Sequence, residues 1–280
     1  MSEQPIPKRL ISVVTPCYNE EENVDDVYRA IKKIRDQYPR FNWEHIFIDN
    51  ASIDNTLQYL KVIADHDHDV KIIVNQRNYG HIRSPAYGYL NSSGDATIAF
   101  FCDLQCPPEL IHDFIKKWEE GYKVIVGTKT GSGENRLVFQ FRKIYYYVLD
   151  CVSETPQIRN FSGFGLYDKS FLDILRQLNE PYPYFRGLVS EYGFDIVKIP
   201  YVEKRRAKGK SKNNLYTLYD SAALGFVSHS KIPLRLASFI GFGSAIVCLL
   251  IASFYFIYKL LFWNSFQVGT APLIIGIFFF

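Results

Sequence analysis

Leu10-Ile11-Ser12-Val13-Val14-Thr15, followed at once by Pro16-Cys17-Tyr18-Asn19-Glu20, is the stretch from which the fold is read. The first six residues are rich in β-branched and aliphatic side chains and predict a short buried strand; the polar residues after it mark its end. Val24, Val27, Ile31 and Ile34 then recur at spacings of three and four, the apolar stripe of a helix. The pattern repeats downstream. His45 to Ile48, Val70 to Val74, Ala96 to Phe101 and Val124 to Val126 are further apolar runs bounded by Asn, Asp, Gly and Pro, and Leu57, Leu60, Ile63 and Ala64 carry a second helical stripe. Strand alternating with helix predicts an α/β fold with a doubly wound, mostly parallel sheet. Ligands of such sheets sit beyond the carboxyl ends of the strands, so the residues after each strand are the candidate site.

The composition agrees with a globular protein of one or two domains. Of 280 residues, 48% are hydrophobic and 22% charged, which excludes a disordered, collagen-like or disulfide-stapled chain. A net charge of +3 does not point to a nucleic-acid partner. Five cysteines, an odd number, accompany a polar segment from Met1 to Leu10 without a signal-peptide core, so reduced cytoplasmic thiols are expected. Cys102 and Cys106 lack a second Cys/His pair at zinc-site spacing and read as small buried side chains. Between Leu236 and Trp263 the one charged residue is Lys259. As a helix this run spans roughly 42 Å at about 1.5 Å per residue, against about 30 Å of bilayer hydrocarbon.

Three strand ends carry chemistry. The first is Pro16 to Glu20, the second Asp49-Asn50-Ala51-Ser52-Ile53-Asp54, and the third Asp103-Leu104-Gln105-Cys106-Pro107-Pro108-Glu109. Each alone is ordinary turn punctuation. Together they offer a tyrosine ring, a hydrogen-bonding carboxylate, and an acid with an amide, which is what a nucleotide and a divalent cation require. A hard cation takes one or two carboxylates and fills its shell with phosphate and water, so Asp103 and Gln105 suffice as protein ligands. No glycine loop of the P-loop or dinucleotide-binding type follows the first strand, so a diphosphate there must be neutralised by metal and basic side chains.

These segments, with Asn78-x-Gly80 through Gly94-Asp95 and Arg206-x-x-Gly209-x-Ser211-Lys212, resemble the family 2 glycosyltransferases. The closer likeness is to the branch of dolichol-phosphate mannose synthase and the bacterial polyprenyl-phosphate glucosyltransferases with C-terminal membrane helices. The resemblance implies a GT-A fold, inverting transfer of a hexose from UDP- or GDP-sugar (UDP-glucose or similar), a Mg²⁺ or Mn²⁺ ion, and a polyprenyl-phosphate acceptor. It implies catalytic roles for Asp103, Gln105, Arg206 and Lys212, with Asp103 and Gln105 on the metal, and substrate contacts from Pro16, Tyr18, Glu20, Asp49, Lys129 and Ser211. This chain departs from the family pattern twice. Phe101-Cys102-Asp103 stands where Asp-x-Asp is common, and Asp49-Asn50-Ala51-Ser52 where Asp-Asp-Gly-Ser is usual.

Lys204, Arg205, Arg206, Lys208, Lys210 and Lys212 form a basic run with glycine and serine interleaved, suited to anions. A lipid phosphate is already largely dianionic at neutral pH and attacks without a general base. A sugar hydroxyl needs one, and Glu191 is then the candidate; otherwise it is a helix-surface carboxylate beside Arg186. The alternative reading is therefore a membrane-anchored transferase extending a glycan on a hydroxyl, and a different class, suggested by Phe101, is an impaired scaffold subunit. The expected domains are a GT-A catalytic domain over 1–212, an interfacial amphipathic helix over 213–232, a transmembrane helix over 233–263, and the start of a second at 271–280. Leu215, Leu218, Tyr219, Ala222 and Phe226 share one face of the amphipathic segment. Lys231 and Arg235 precede the span and Asn264 to Thr270 are uncharged, which predicts a multi-pass protein of the inner (cytoplasmic) membrane with its catalytic domain in the cytoplasm. The expected partners are nucleotide sugar, polyprenyl phosphate and the bilayer, with homo-oligomerisation left open.

Overall fold

The computed structural model describes residues 8–131, 157–204, 206, 208, 223, 231–262 and 276. The chain divides into two units, Met1–Ser228 and His229–Phe280. Among the described residues the first contains seven strands: β1 Leu10–Cys17, β2 Asn42–Asp49, β3 Val70–Val74, β4 Ala96–Ala99, β5 Val124–Gly131, β6 Phe161–Asp168 and β7 Val197–Val202. Its helices are α1 Val24–Arg35, α2 Thr56–His66, α3 Gly80–Leu90, α4 Leu110–Glu119, α5 Lys169–Leu178 and α6 Phe185–Tyr192. The strands form one sheet in the order β3-β2-β1-β4-β6-β5-β7. β1 pairs in parallel with β2 and β4, β2 with β3, and β5 with β7, whereas β6 runs antiparallel to both β4 and β5. The mostly parallel α/β sheet of the sequence reading is thus present, with β6 and β7 added to its five strands.

The hydrophobic pattern explains the layers. On β1, Ile11 and Val13 face a core built with Val24, Val27, Ile31 and Ile34 of α1, Leu60 of α2 and Ile111, Phe114 and Ile115 of α4. Val14 faces the opposite core, with Tyr89 of α3, Leu172 and Leu175 of α5 and Val189 of α6. Because both faces are covered, every residue from Ile11 to Thr15 is buried, and a continuous apolar run replaces the alternation of a one-sided strand. Contact with α3 is close enough to require glycine. A Cβ on Gly88 would lie 2.8 Å from Val14 Cγ1 and 3.3 Å from Ile48 Cγ2, so any side chain there would force α3 off the sheet.

Polar groups inside the sheet are paired. Glu44 accepts from Ser12 Oγ at 2.5 Å, from Ser93 N at 2.8 Å and from Lys71. Burial works to raise its pKa, but these donors outweigh it and hold the carboxyl below the usual range. His45 Nε2 meets Thr15 Oγ1 at 3.0 Å, and burial pushes the imidazole pKa down to about 3.

In the second unit, α7 runs Ile232–Leu261, with Pro at its start where the missing N–H costs nothing. Its 30 residues extend about 45 Å. Mean hydropathy within Leu234–Leu261 reaches 2.3, and Phe239 and Phe242 are 74% and 73% exposed. This helix is long and apolar enough to cross a bilayer. The amphipathic helix and second span expected at 213–232 and 271–280 lie, apart from residues 223, 231, 232 and 276, outside the described residues.

Candidate active site

Three strand ends meet in the same distorted conformation. Asn19 after β1, Ala51 after β2 and Leu104 after β4 all have left-handed backbones, with φ of 53°, 60° and 54°. Such φ costs a non-glycine residue roughly 1–2 kcal/mol, and it persists where surrounding bonds impose it. Those bonds are visible. Asn19 N–H donates to Ser52 Oγ at 2.9 Å, and Asn19 Oδ1 accepts from Ile53 N at 2.8 Å, which ties the β1 turn to the β2 turn. Asn50 binds the loop before α3: its Oδ1 accepts from Tyr79 N at 2.9 Å and from Asn75 Nδ2 at 3.0 Å, while its Nδ2 donates to Asn78 Oδ1 at 2.8 Å. This accounts for the amide at position 50, since a carboxylate could make the first two bonds but not the third. The Asn78-x-Gly80 motif is the other half of the same clasp, as Gly80 N donates to Asn78 Oδ1 at 2.8 Å.

Asp49 closes β2 and is 1% exposed. Its Oδ2 accepts from Ser52 N at 3.2 Å, whereas Oδ1 is buried without a hydrogen-bond partner. An orphaned carboxylate oxygen in such a place costs about 1–3 kcal/mol, which a ligand N–H would recover. Pro16 and Tyr18, at the adjoining end of β1, are partly buried.

Asp103 and Gln105 share the turn after β4. Gln105 N–H donates to Asp103 Oδ1 at 3.1 Å, and Gln105 is pinned to the segment after β7 through Lys204 N to Gln105 O at 3.0 Å and Gln105 Nε2 to Lys204 O at 3.4 Å. Among the described residues the Gln105 side-chain oxygen meets no hydrogen-bond donor. Burial raises the Asp103 pKa; the Gln105 N–H and Arg206 oppose that rise, and the charges of Glu20 and Glu203 add to it. Glu203 is itself paired with Lys129, so three carboxylates stand here with two cations. Among the described residues no three His, Cys, Asp or Glu side chains converge as a ready metal cage. The donor set still fits a hard divalent cation that brings most of its own ligands: one carboxylate, one amide oxygen and an excess of negative charge. Phe101, where an acid was the expectation of the resemblance, lies against β6, its Cζ 3.6 Å from where a Cβ of Gly163 would sit.

Four described basic side chains near the strand ends lie beside an acid. Lys129 on β5 donates to Glu203 at 2.5 Å, Lys208 to Asp26 at 2.6 Å, and Lys204 lies 4.0 Å from Glu109. Arg206 Nη2 donates to both carboxylate oxygens of Glu20. Glu20, expected from the sequence as a substrate contact, is placed by the structure against Arg206, and Glu203, which the sequence did not single out, is placed against Lys129. Lys212 and Ser211 lie outside the described residues. Glu191 is exposed on α6, where its charge and hydrogen bond push the Tyr192 hydroxyl pKa up, and the Arg186 guanidinium sits 5.3 Å from the Tyr184 ring. Cys17, Cys102 and Cys106 are buried under the site, with the Cys106 thiol pushed up to about 12 by burial.

An unmet buried carboxylate oxygen and an acid–amide turn thus stand at the carboxyl ends of neighbouring parallel strands, the place where sheets of this kind bind their ligands. Residues 12–175 match the family described as Glycosyl transferase family 2. Over 268 residues the chain is 32% identical to the uncharacterized glycosyltransferase YkcC of Bacillus subtilis, covering 94% of this chain and 81% of that one. It is 29% identical over 270 residues to the bactoprenol glucosyl transferase of Shigella phage SfV, covering 96% and 87%. Glucosyl-3-phosphoglycerate synthase of Mycobacterium tuberculosis, solved with Mn²⁺, UDP and phosphoglyceric acid, shares the fold with a TM-score of 0.51 and 18% identity, over 78% of this chain and 76% of that one. The chain belongs to glycosyl transferase family 2, and it is a glycosyltransferase with a GT-A-like fold.

Proposed function

We propose that the protein transfers a hexose, with inversion, from a nucleotide sugar such as UDP-glucose to polyprenyl phosphate at the cytoplasmic face of the inner membrane. The observation that carries this reading is the union, in one chain, of the strand-end crevice with a helix competent to cross a bilayer. Its alignment over 96% of its length with a bactoprenol glucosyl transferase supports the same acceptor class. Asp49 accepts a ring N–H of the base, with Pro16 and Tyr18 alongside. Asp103 and Gln105 would hold Mg²⁺ or Mn²⁺, which when bound supplies positive charge to the departing diphosphate. Arg206 and Lys129 add charge on the same side, and Lys212 and Ser211 extend the basic segment toward the lipid phosphate. Transfer builds negative charge on the diphosphate, so fixed cations lower the barrier more than they tighten ground-state binding. The acceptor phosphate is its own nucleophile and needs no base, which leaves Glu191 outside the chemistry. Lys231, just before α7, and Arg235, in its first turn, support a cytoplasmic catalytic unit.

The test is to incubate membranes containing the protein with a panel of nucleotide sugars and undecaprenyl phosphate and to identify the lipid product by mass. A hexosyl phosphoryl polyprenol is the expected product. Sugar found on a hydroxyl acceptor instead, with loss of activity in Glu191→Gln, would overturn the reading in favour of glycan extension.

A further inference from the structure

Arg206 is gripped in a way that leaves part of it open. Its Nε–H donates to Lys208 O at 2.8 Å, and Nη2 donates to both oxygens of Glu20. A guanidinium carries five N–H donors, so the two on Nη1 remain, and they meet no described residue. The grip is largely shielded, with the Arg206 and Glu20 side chains 17% and 11% exposed. Glu20 is itself fixed from two sides: its Oε2 accepts from Asn23 Nδ2 at 2.6 Å, and its backbone N–H donates to Thr56 Oγ1 at 2.8 Å. Asn23 and Thr56, at the starts of α1 and α2, are both buried. A rigid chain of contacts therefore runs from the helix starts through Glu20 to a guanidinium that belongs, in sequence, to a distant loop.

A mere staple would use the whole fork of the arginine, as a bidentate pair does through two nitrogens. Here the carboxylate takes one nitrogen and leaves the other pair of donors without a described partner, on an arginine whose charge acts on the Asp103 carboxyl. We infer that Glu20 is a positioning residue that orients Arg206 so that its Nη1 donors receive phosphate oxygens of a bound substrate. The inference rests on the glycosyl-transfer reading above and adds a role for Glu20 that does not require it to touch substrate. Pre-orienting the guanidinium removes its rotamer entropy from the cost of binding, and a misplacement of about 1 Å near the reacting centre costs on the order of 100-fold.

The experiment is a double-mutant cycle on the whole chain in nanodiscs: Glu20→Ala, Arg206→Ala and the pair, with UDP affinity by calorimetry and kcat and KM for polyprenyl phosphate. Glu20→Gln, which keeps the shape and one acceptor oxygen, repeats the first arm should Glu20→Ala fail to fold. If Glu20 acts through Arg206, each single variant loses about tenfold or more and the double loses no more than Arg206→Ala alone. A loss in UDP affinity assigns the donors to the diphosphate, and a rise in KM for the lipid with UDP affinity intact assigns them to the acceptor phosphate; either supports the role. Additive losses, or variants with unchanged affinity for both anions, would overturn it. UDP binding is read without any transfer, so failure of wild-type protein to glycosylate polyprenyl phosphate would sink the acceptor assignment while the cycle on UDP still decides this one.

Discussion

Asp49→Asn replaces one buried oxygen by an amino group and leaves the outline of the side chain intact. The oxygen facing Ser52 N at 3.2 Å can be kept by the amide, so the change falls on the position of Oδ1, the atom without a partner. A hydrogen bond to a charged acceptor nets about 1.5–3 kcal/mol. At 1.4 kcal/mol per tenfold, UDP affinity should fall about 10- to 150-fold. Stability should change by less than about 1 kcal/mol, because the orphaned acceptor becomes an orphaned donor of similar cost. The base itself supplies a sharper reading. Uracil presents a ring N–H where cytosine presents a ring acceptor, so the wild type should prefer UDP to CDP and the amide variant should narrow or reverse that preference. Calorimetric titration of both nucleotides into both proteins, with a thermal melt as the folding control, measures all of this. Equal UDP affinity in the variant, or an unchanged UDP/CDP ratio, would refute the placement of the base at Asp49.

Asp103→Asn, nearly isosteric, should lower transfer by about 100-fold or more and abolish any difference in UDP affinity between Mg²⁺ and chelator; activity indifferent to chelator in the wild type would remove the cation from this turn. Ala51→Gly relieves a left-handed alanine at φ 60° and should stabilise the fold by about 0.5–1 kcal/mol, read as an upward shift in melting temperature of roughly 1–4 °C. His45 makes the protein acid-sensitive: the unfolded imidazole takes a proton below about 6.5 while the folded one, at about 3, refuses it, so stability complete above pH 6.5 is lost as pH falls toward 3. Between pH 6.5 and 5 the loss should be about 2 kcal/mol, and thermal melts of His45→Gln should show a flatter profile; an identical profile would rule the imidazole out as its source.

The alternation of apolar runs with helical stripes was enough to specify the α/β class, because burial on both faces leaves a period and a length that any strand–helix unit must show. Val24, Val27, Ile31 and Ile34 are buried as their spacing demanded, and the three polar strand ends stand together at one edge because parallel strands share a direction. β6 was invisible. Phe161-Ser162-Gly163-Phe164-Gly165 holds two glycines and no β-branched residue, and its antiparallel insertion between β4 and β5 is a pairing choice made across the sheet. Residue types single out Asp49, Asp103 and Gln105 as candidates, since few other side chains can bind a base or a hard cation. What the local sequence could not state is which charge meets which. The basic run after β7 reads as an anion site, yet in the folded chain Arg206 is held by Glu20, Lys129 by Glu203 and Lys208 by Asp26. The first and last of these pairs lie 186 and 182 residues apart in sequence, and only the register of the sheet brings them within reach. Periodicity is a property of neighbours along the chain and survives in a one-dimensional text; charge pairing is a property of neighbours in space, and only the tertiary structure decides it.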